Sequence, residues 1–363
     1  MLVPGLAPLP SPRAHWDGPI VDCDVHAAVP SLAALEPYMD AVWAQMARDR
    51  GWGGPTGVAS TYPPNAPSTA RAEWRPDDRP PASRVELLQG HVLDPLRVER
   101  AVLNCYYAID SLRHPDWAAA LASAVNDWIV AEWLDRDPRL VASLVLPARD
   151  TTAMIAEIER VGAHPGFVQA LFPVRSDRLY GNRAFHPVYA ALVEHDLVMG
   201  LHWGGTSEDA PSPIGFASWY IEAYAAEWQT FAAQITNLIA EGVFKAHPEL
   251  RVAVLEGGFS WVPLWGWRMN KEWKGLRREV PWIDRTPMEL IRDHMRFSVA
   301  PMDAGPPEAL RRCVEWFGSE DMLMYATDYP HAHDDDIGLL LDVVPESTRA
   351  NLMAETARRW YRL

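Results

Sequence analysis

The sequence predicts an α/β fold, a parallel (β/α)8 barrel with long loop insertions after its first and fifth strands. Three observations lead there. Short, Val/Leu-rich apolar runs recur along the chain, separated by stretches whose apolar residues have helical spacing; this is how strands buried on both faces of a parallel sheet read. Eight such runs occur, the number that closes a barrel. No G-x-G-x-x-G turn follows the first run, which counts against the main competitor, a doubly wound dinucleotide-binding sheet.

The first run, residues 20–26 (IVDCDVH), alternates apolar and ionisable residues. Regular alternation would put Asp22, Asp24 and His26 on one face and Val21, Cys23 and Val25 on the other. A helix is expected over 31–48, with Ser31 as its N-cap. Residues 51–83, rich in Pro and Gly, read as a long ordered loop. The remaining strands are expected at 98–107, 140–146, 167–174, 197–204, 251–257, 295–300 and 322–327. Helices are expected at 117–134, 150–161, 187–195, 307–316 and 345–361. Residues 204–229, which carry Trp219, Tyr220, Tyr224 and Trp228, form the second insertion and should hold a helix. The whole chain, 1–363, reads as one domain with an N-terminal extension over 1–19.

Composition narrows the function. Apolar residues make up 48% and charged residues 22%, ordinary for a soluble globular protein with a sizeable core. With 33 Lys+Arg against 48 Asp+Glu, the formal charge is −15. Nucleic acid is a poor partner for such a surface, whereas some of the acids could hold a cation. Three cysteines, Cys23, Cys105 and Cys313, are too few for a disulfide framework or a Cys-rich zinc site, so a reducing cytoplasm is the simplest setting. The N-terminus is broken by proline, unlike a signal-peptide core, and no run reaches the roughly 20 apolar residues of a membrane span. The 17 Trp and 32 Pro point to structured aromatic loops, either functional or packed against a second subunit.

Active sites of (β/α)8 barrels lie at the carboxyl ends of the strands. Here those ends carry Asp24 and His26 (first), His202 (fifth), Glu256 (sixth) and Asp328 (eighth). Each alone could be a cap or a hydrogen-bonded core residue. Gathered in one barrel mouth, three carboxylates and two imidazoles are costly without a cation, and they are the donors that zinc- or manganese-type ions take. His331, three residues after Asp328, is placed to reach substrate. His333 and residues 334–336 read as a solvated loop and helix N-terminus, His186 and His247 as structural, and Asp22 as support behind the ligands.

The order Asp-x-His, His, Glu-Gly-Gly and Thr-Asp-Tyr-Pro-His resembles the amidohydrolase superfamily. Within it the chain is similar to amidohydrolase family 2, the branch typified by aminocarboxymuconate-semialdehyde decarboxylase. The segments YGNRAFHPVYAALVEHDLVMGLHWGG and EGVFKAHPELRVAVLEGGFSWVPLWGWRMN carry the likeness over long stretches. The resemblance implies that Asp24, His26, His202 and Asp328 ligate one divalent ion. Relatives often have His in the slot of Asp24, and the harder carboxylate moves the expected ion from Zn2+ towards Mn2+. Glu256 stands where decarboxylases of the branch have a catalytic His.

The expected activity is non-oxidative decarboxylation of an aromatic or conjugated carboxylic acid. Glu256, Asp328 and His331 would be catalytic, and Trp203, Trp219, Trp261 and His331 would contact substrate. The alternative is hydrolysis of an amide, lactone or carbon–carbon bond by a metal-activated water, and a third reading is a silent binding barrel. A small molecule is the expected partner, with neither nucleic acid nor membrane, and family habit implies a homodimer.

Overall fold

The computed structural model describes residues 11–55, 70–76, 79–205, 215, 217–303, 305–333 and 335–363. Eight parallel strands pair in sequence order: β1 (Val21–His26), β2 (Arg100–Asn104), β3 (Leu140–Leu144), β4 (Phe167–Pro173), β5 (Val198–His202), β6 (Val252–Leu255), β7 (Met295–Ser298) and β8 (Leu323–Met324). All eight expected strands are present. β8 is much shorter than its apolar run because the chain leaves the ladder after Met324. The barrel nevertheless closes: Cys23 N donates to Tyr325 O, His26 N to Tyr329 O and Asp328 N to Asp24 O.

Two apolar layers follow from the strand period. Ala101, Leu103, Ala142, Leu144, Ala170, Phe172, Met199, Leu201, Val252, Val254 and Phe297 face the surrounding helices. Val102, Val141, Val198, Ala253, Leu255 and Met324 face inward. There the C-terminal helix Thr356–Tyr361 plugs the barrel with Ala357, Trp360 and Tyr361. Burying rings of this size stabilises each by roughly 1.5–3 kcal/mol.

Strand β1 departs from strict alternation. Its register against β2 shifts between Asp22 and Val25, so Val21 and Cys23 join the inner cluster while Val25 joins the outer layer. Asp22 therefore does not share a face with Asp24 and His26. The irregularity is a local bulge, which re-aims side chains on the bulged strand.

The expected helix at 31–48 is also corrected. It breaks into 3-10 turns at Leu32–Ala34 and Glu36–Tyr38, followed by an α-helix at Ala41–Arg50. Pro37 cannot supply an interior helical N–H, and Ser31 makes no side-chain cap. At the start of the helix Thr151–Val161, Asp150 accepts from Thr152 N and Ala153 N. The helices Trp228–Ala240, Trp261–Leu276 and Pro287–His294 had not been expected; in the second, closely spaced tryptophans obscure the apolar stripe. Of the insertions, residues 56–69, 77–78, 206–214 and 216 lie outside the described residues. The remainder of the second insertion contains the expected helix, Tyr220–Ala226. No helix among the described residues is long and apolar enough to cross a membrane.

Candidate metal centre and active site

The carboxyl ends of β1, β5, β6 and β8 bring the predicted residues together. Asp24 and Asp328 are fully buried, and His202, Glu256 and His26 are at most 9% exposed. One ligand atom from each of Asp24, His26 and His202 lies within 4.8 Å of the others, and the same holds for His26, Glu256, Asp328 and His331. His26 joins the two groups.

Its Nδ1 donates to Asn104 O (2.9 Å), because a carbonyl can only accept, and its Nε2 meets Asp328 Oδ1 at 2.8 Å. Burial alone would lower the His26 pKa. The Asp328 hydrogen bond and the Asp24 and Asp328 charges outweigh it and raise the value to about 10. Burial likewise opposes protonation of His202, yet Asp24, 3.4 Å from its Nε2, raises its pKa. These imidazoles hold protons because carboxylates surround them; a divalent cation would displace those protons.

Glu256 sits at φ +56°, a left-handed conformation that is costly for a side chain of its size. Its neighbour Leu255 faces inward, so continued alternation would turn Glu256 outward. The left-handed turn brings it back into the mouth. Ser298 Oγ accepts from its N–H at 3.0 Å, and Asp303 Oδ2 accepts from Phe259 N and Ser260 N (2.9 and 2.8 Å). Gly258 is required here: it has φ +65°, and a Cβ would lie 2.8 Å from Asp303 Oδ2. Tyr224 OH donates to Glu256 Oε1 at 3.0 Å, while Oε2 is buried without a partner. Burial, then the Asp328 charge, push the Glu256 pKa well above the usual carboxylate range.

Asp328, also left-handed at φ +52°, accepts from His331 Nδ1 at 2.9 Å on Oδ1 and pairs with His333 Nε2 through Oδ2. Burial would raise its pKa, but the three histidines around it hold it well below the usual range. His333 is thus not in a solvated loop: its side chain is 12% exposed and its ring stacks on Tyr224 at 6.0 Å. Among the acids beyond it, Asp336 caps the helix Ile337–Leu341 as expected, Asp335 accepts from Met302 N, and residue 334 lies outside the described residues. Asp22 binds Thr327 N and Oγ1 and Asp24 N (3.0, 2.7 and 3.2 Å), tying β1 to the segment after β8. His186 and His247 pair with each other at 3.0 Å, before β6 and away from the mouth.

The three tryptophans separate. Trp203 is 9% exposed and packs against Tyr224 (5.8 Å), with Arg175 over its ring at 5.4 Å. Trp261 donates to Gly257 O and packs against Trp265 and Phe297 in the layer outside the sheet. Trp219 is 67% exposed and offers its ring to solvent. A cavity of about 270 Å³ adjoins the cluster instead, lined by Trp74, His91, Met302, His331 and His333 among others. Asn104, Tyr224 and His333 complete the centre and were missed as site residues. Asn104 ends β2, short of the expected strand end at 107, so the rule that found Asp24 passes it over.

The donor set fits a divalent ion. Asp24 Oδ2 and Glu256 Oε2 are buried and unpartnered, and a buried acceptor without a donor costs about 1–3 kcal/mol or more when charged. A cation beside Asp24 Oδ2 would relieve that cost with the oxygen and imidazole ligands such ions prefer.

An eight-stranded parallel barrel with acids and histidines gathered at its strand ends is the framework of a barrel enzyme. The chain belongs to the amidohydrolase family, whose pattern it matches over residues 21–363. It is 23% identical over 292 residues to the gamma-resorcylate decarboxylase of Rhizobium radiobacter, spanning 77% of this chain and 86% of the relative. It is 24% identical over 257 residues to that of Rhodococcus jostii (strain RHA1), spanning 66% and 75%. Among solved structures, an amidohydrolase from Mycobacterium avium subsp. paratuberculosis superposes with a TM-score of 0.71 at 17% identity, over 95% of this chain and 98% of that one. The 5-carboxyvanillate decarboxylase of Novosphingobium aromaticivorans, complexed with manganese and 4-hydroxy-3-methoxy-5-nitrobenzoic acid, superposes at 0.67 and 18%, over 96% and 97%.

Proposed function

We propose that the protein is a metal-dependent, non-oxidative decarboxylase of an aromatic carboxylic acid, with Asp24, His26, His202 and Asp328 as metal ligands. The observation that carries this reading is the burial of Asp24, His26, His202 and Asp328 in one barrel mouth, with Asp24 Oδ2 left without a hydrogen-bond partner. The decarboxylases among its relatives support the reaction type. The bound ion would supply a Lewis acid that draws in the substrate carboxylate and a neighbouring oxygen.

The remaining work falls to the chain. Glu256, whose burial raises its pKa, acts as the acid that delivers a proton to the ring carbon bearing the carboxylate. A carbon–hydrogen bond forms, the carbon–carboxylate bond breaks, and its electron pair restores the aromatic ring as CO2 leaves. Tyr224 holds Oε1, leaving Oε2 to face substrate. His331, fixed through Nδ1 by Asp328, keeps Nε2 for the substrate, and Trp203 closes the apolar side of the mouth.

Manganese suits the site better than zinc because its carboxylates are hard donors, and the carboxyvanillate decarboxylase structure contains it. Three free, buried cysteines suit a reducing cytoplasm. The chain would work as one domain and as a homodimer, a role in keeping with exposed Trp219, Ile221, Leu264 and Trp267. The test is turnover of hydroxylated benzoates by Mn2+-loaded protein in D2O. CO2 release with one deuterium on the ring is expected. Uptake of 18O from labelled water without CO2 would instead make the enzyme a hydrolase.

A further inference from the structure

Four buried polar side chains run in one direction from the C-terminal helix to the mouth. Tyr361 OH donates to Gln169 Oε1 at 2.9 Å. Gln169 Nε2 donates to Ser143 Oγ and Asn104 Oδ1 at 2.7 and 3.1 Å. Ser143 Oγ donates to Asn104 Oδ1 at 2.6 Å. Asn104 Nδ2 then donates to Asp24 Oδ1 at 2.8 Å. Asn104, Ser143 and Gln169 are fully buried and Tyr361 is 3% exposed. With every donor pointing the same way and a carboxylate at the end, each bond polarises the next and the amide orientations are determined.

Asn104 acts twice. Its amide occupies Asp24 Oδ1, so Oδ2 is the oxygen left without a protein partner. Its backbone carbonyl accepts from His26 Nδ1, so Nε2 is the nitrogen that faces the cluster. The barrel interior makes room for the chain at Gly200 of β5, where a Cβ would lie 2.4 Å from the Gln169 amide carbon.

We propose that Asn104 is the positioning residue for two ligands of the centre, setting Asp24 Oδ2 and His26 Nε2 towards the ion, and that Tyr361 stabilises this setting from the barrel floor. The inference rests on the metal reading of Asp24 and His26. Its test is Mn2+ affinity by chelator competition, with the visible spectrum of the Co2+-substituted protein as a geometric readout, in wild type, Asn104→Asp and Tyr361→Phe. Asn104→Asp puts an acceptor where a donor is needed and should weaken Mn2+ binding roughly 10–100-fold and shift the Co2+ bands. Tyr361→Phe, which removes one hydroxyl and keeps the ring, should move both readouts the same way by a smaller factor.

A folded Asn104→Asp that binds Mn2+ within about twofold of wild type overturns the proposal. If that variant does not fold, Tyr361→Phe decides: unchanged affinity and spectrum overturn it. Wild type that binds neither Mn2+ nor Co2+ removes the metal reading itself, an outcome distinct from variants that bind as wild type does.

Discussion

Removing the ion should lower the melting temperature by an amount that follows from the centre's composition and the chain's length. Asp24 and Asp328 are fully buried, and Asp24 Oδ2 has no hydrogen-bond donor, so a cation held there would bind the folded state and not the unfolded chain, which assembles no site for it. At a free concentration 100 times Kd, such a ligand stabilises by about 2.7 kcal/mol. Unfolding entropy near 60 °C is about 2.1 cal/mol/K per residue, so a chain of 363 residues has roughly 0.76 kcal/mol/K. The melting temperature should therefore rise by about 3–4 °C, and each further tenfold in Mn2+ should add about 2 °C. The assay is scanning calorimetry of chelator-treated protein titrated with Mn2+, alongside the double variant Asp24→Asn/Asp328→Asn. That variant keeps the side-chain shapes and removes two anionic donors, so its melting temperature should ignore the ion. A wild-type shift that is absent with both Mn2+ and Zn2+, or one that persists in the double variant, refutes the reasoning.

Glu256→Gln keeps the shape and removes the transferable proton, so kcat should fall about 10²–10⁴-fold in steady-state assays of CO2 release. Gly200→Ala drives a methyl into the Gln169 amide and should destabilise by about 1–3 kcal/mol, read by urea denaturation. Asp137 is buried, and burial works against its ionisation, but bonds from Arg139 and Gln89 hold its pKa at about 2. Because the folded value is the lower one, Asp137 stabilises above the unfolded pKa of about 3.9 and ceases to as pH falls through 2. Asp137→Asn should accordingly cost about 2 kcal/mol at pH 7, and the difference between variant and wild type should shrink between pH 4 and pH 2 in denaturation curves.

What could be read from sequence was whatever depends on period and composition. Each strand of the barrel is a short apolar run, because both of its faces are covered, so the runs survive in the sequence even where the ladder, as at β8, is only two residues long. His202 was legible because β5 is regular up to its last residue. The same logic fails wherever the backbone leaves its period. The β1 register shift separates Asp22 from Asp24, and nothing in the residue types of IVDCDVH announces it. The placing of Trp219 and Trp261 is not legible for another reason: an indole serves an outer core or an exposed face as readily as a pocket, so residue type does not choose among them.

The departures from regular structure coincide with the chemistry. Glu256, just past β6, and Asp328, in the segment after β8, both take left-handed backbone angles, where neither has glycine's conformational freedom. Two non-glycine residues in that region cost of order 1–3 kcal/mol each, and such a cost persists only where the surroundings over-determine it. Here they do: Ser298 bonds the Glu256 N–H, Asp303 clamps the turn after it, and Asp24 O accepts from the Asp328 N–H. The gain is direction. In regular continuation Glu256 would follow inward-facing Leu255 to the outside of the barrel; in the left-handed turn it stands in the mouth beside His202, 3.8 Å from its Nδ1. The regular barrel supplies the frame, and the strained turns bring Glu256 to the buried acids and histidines Asp24, His26, His202 and Asp328.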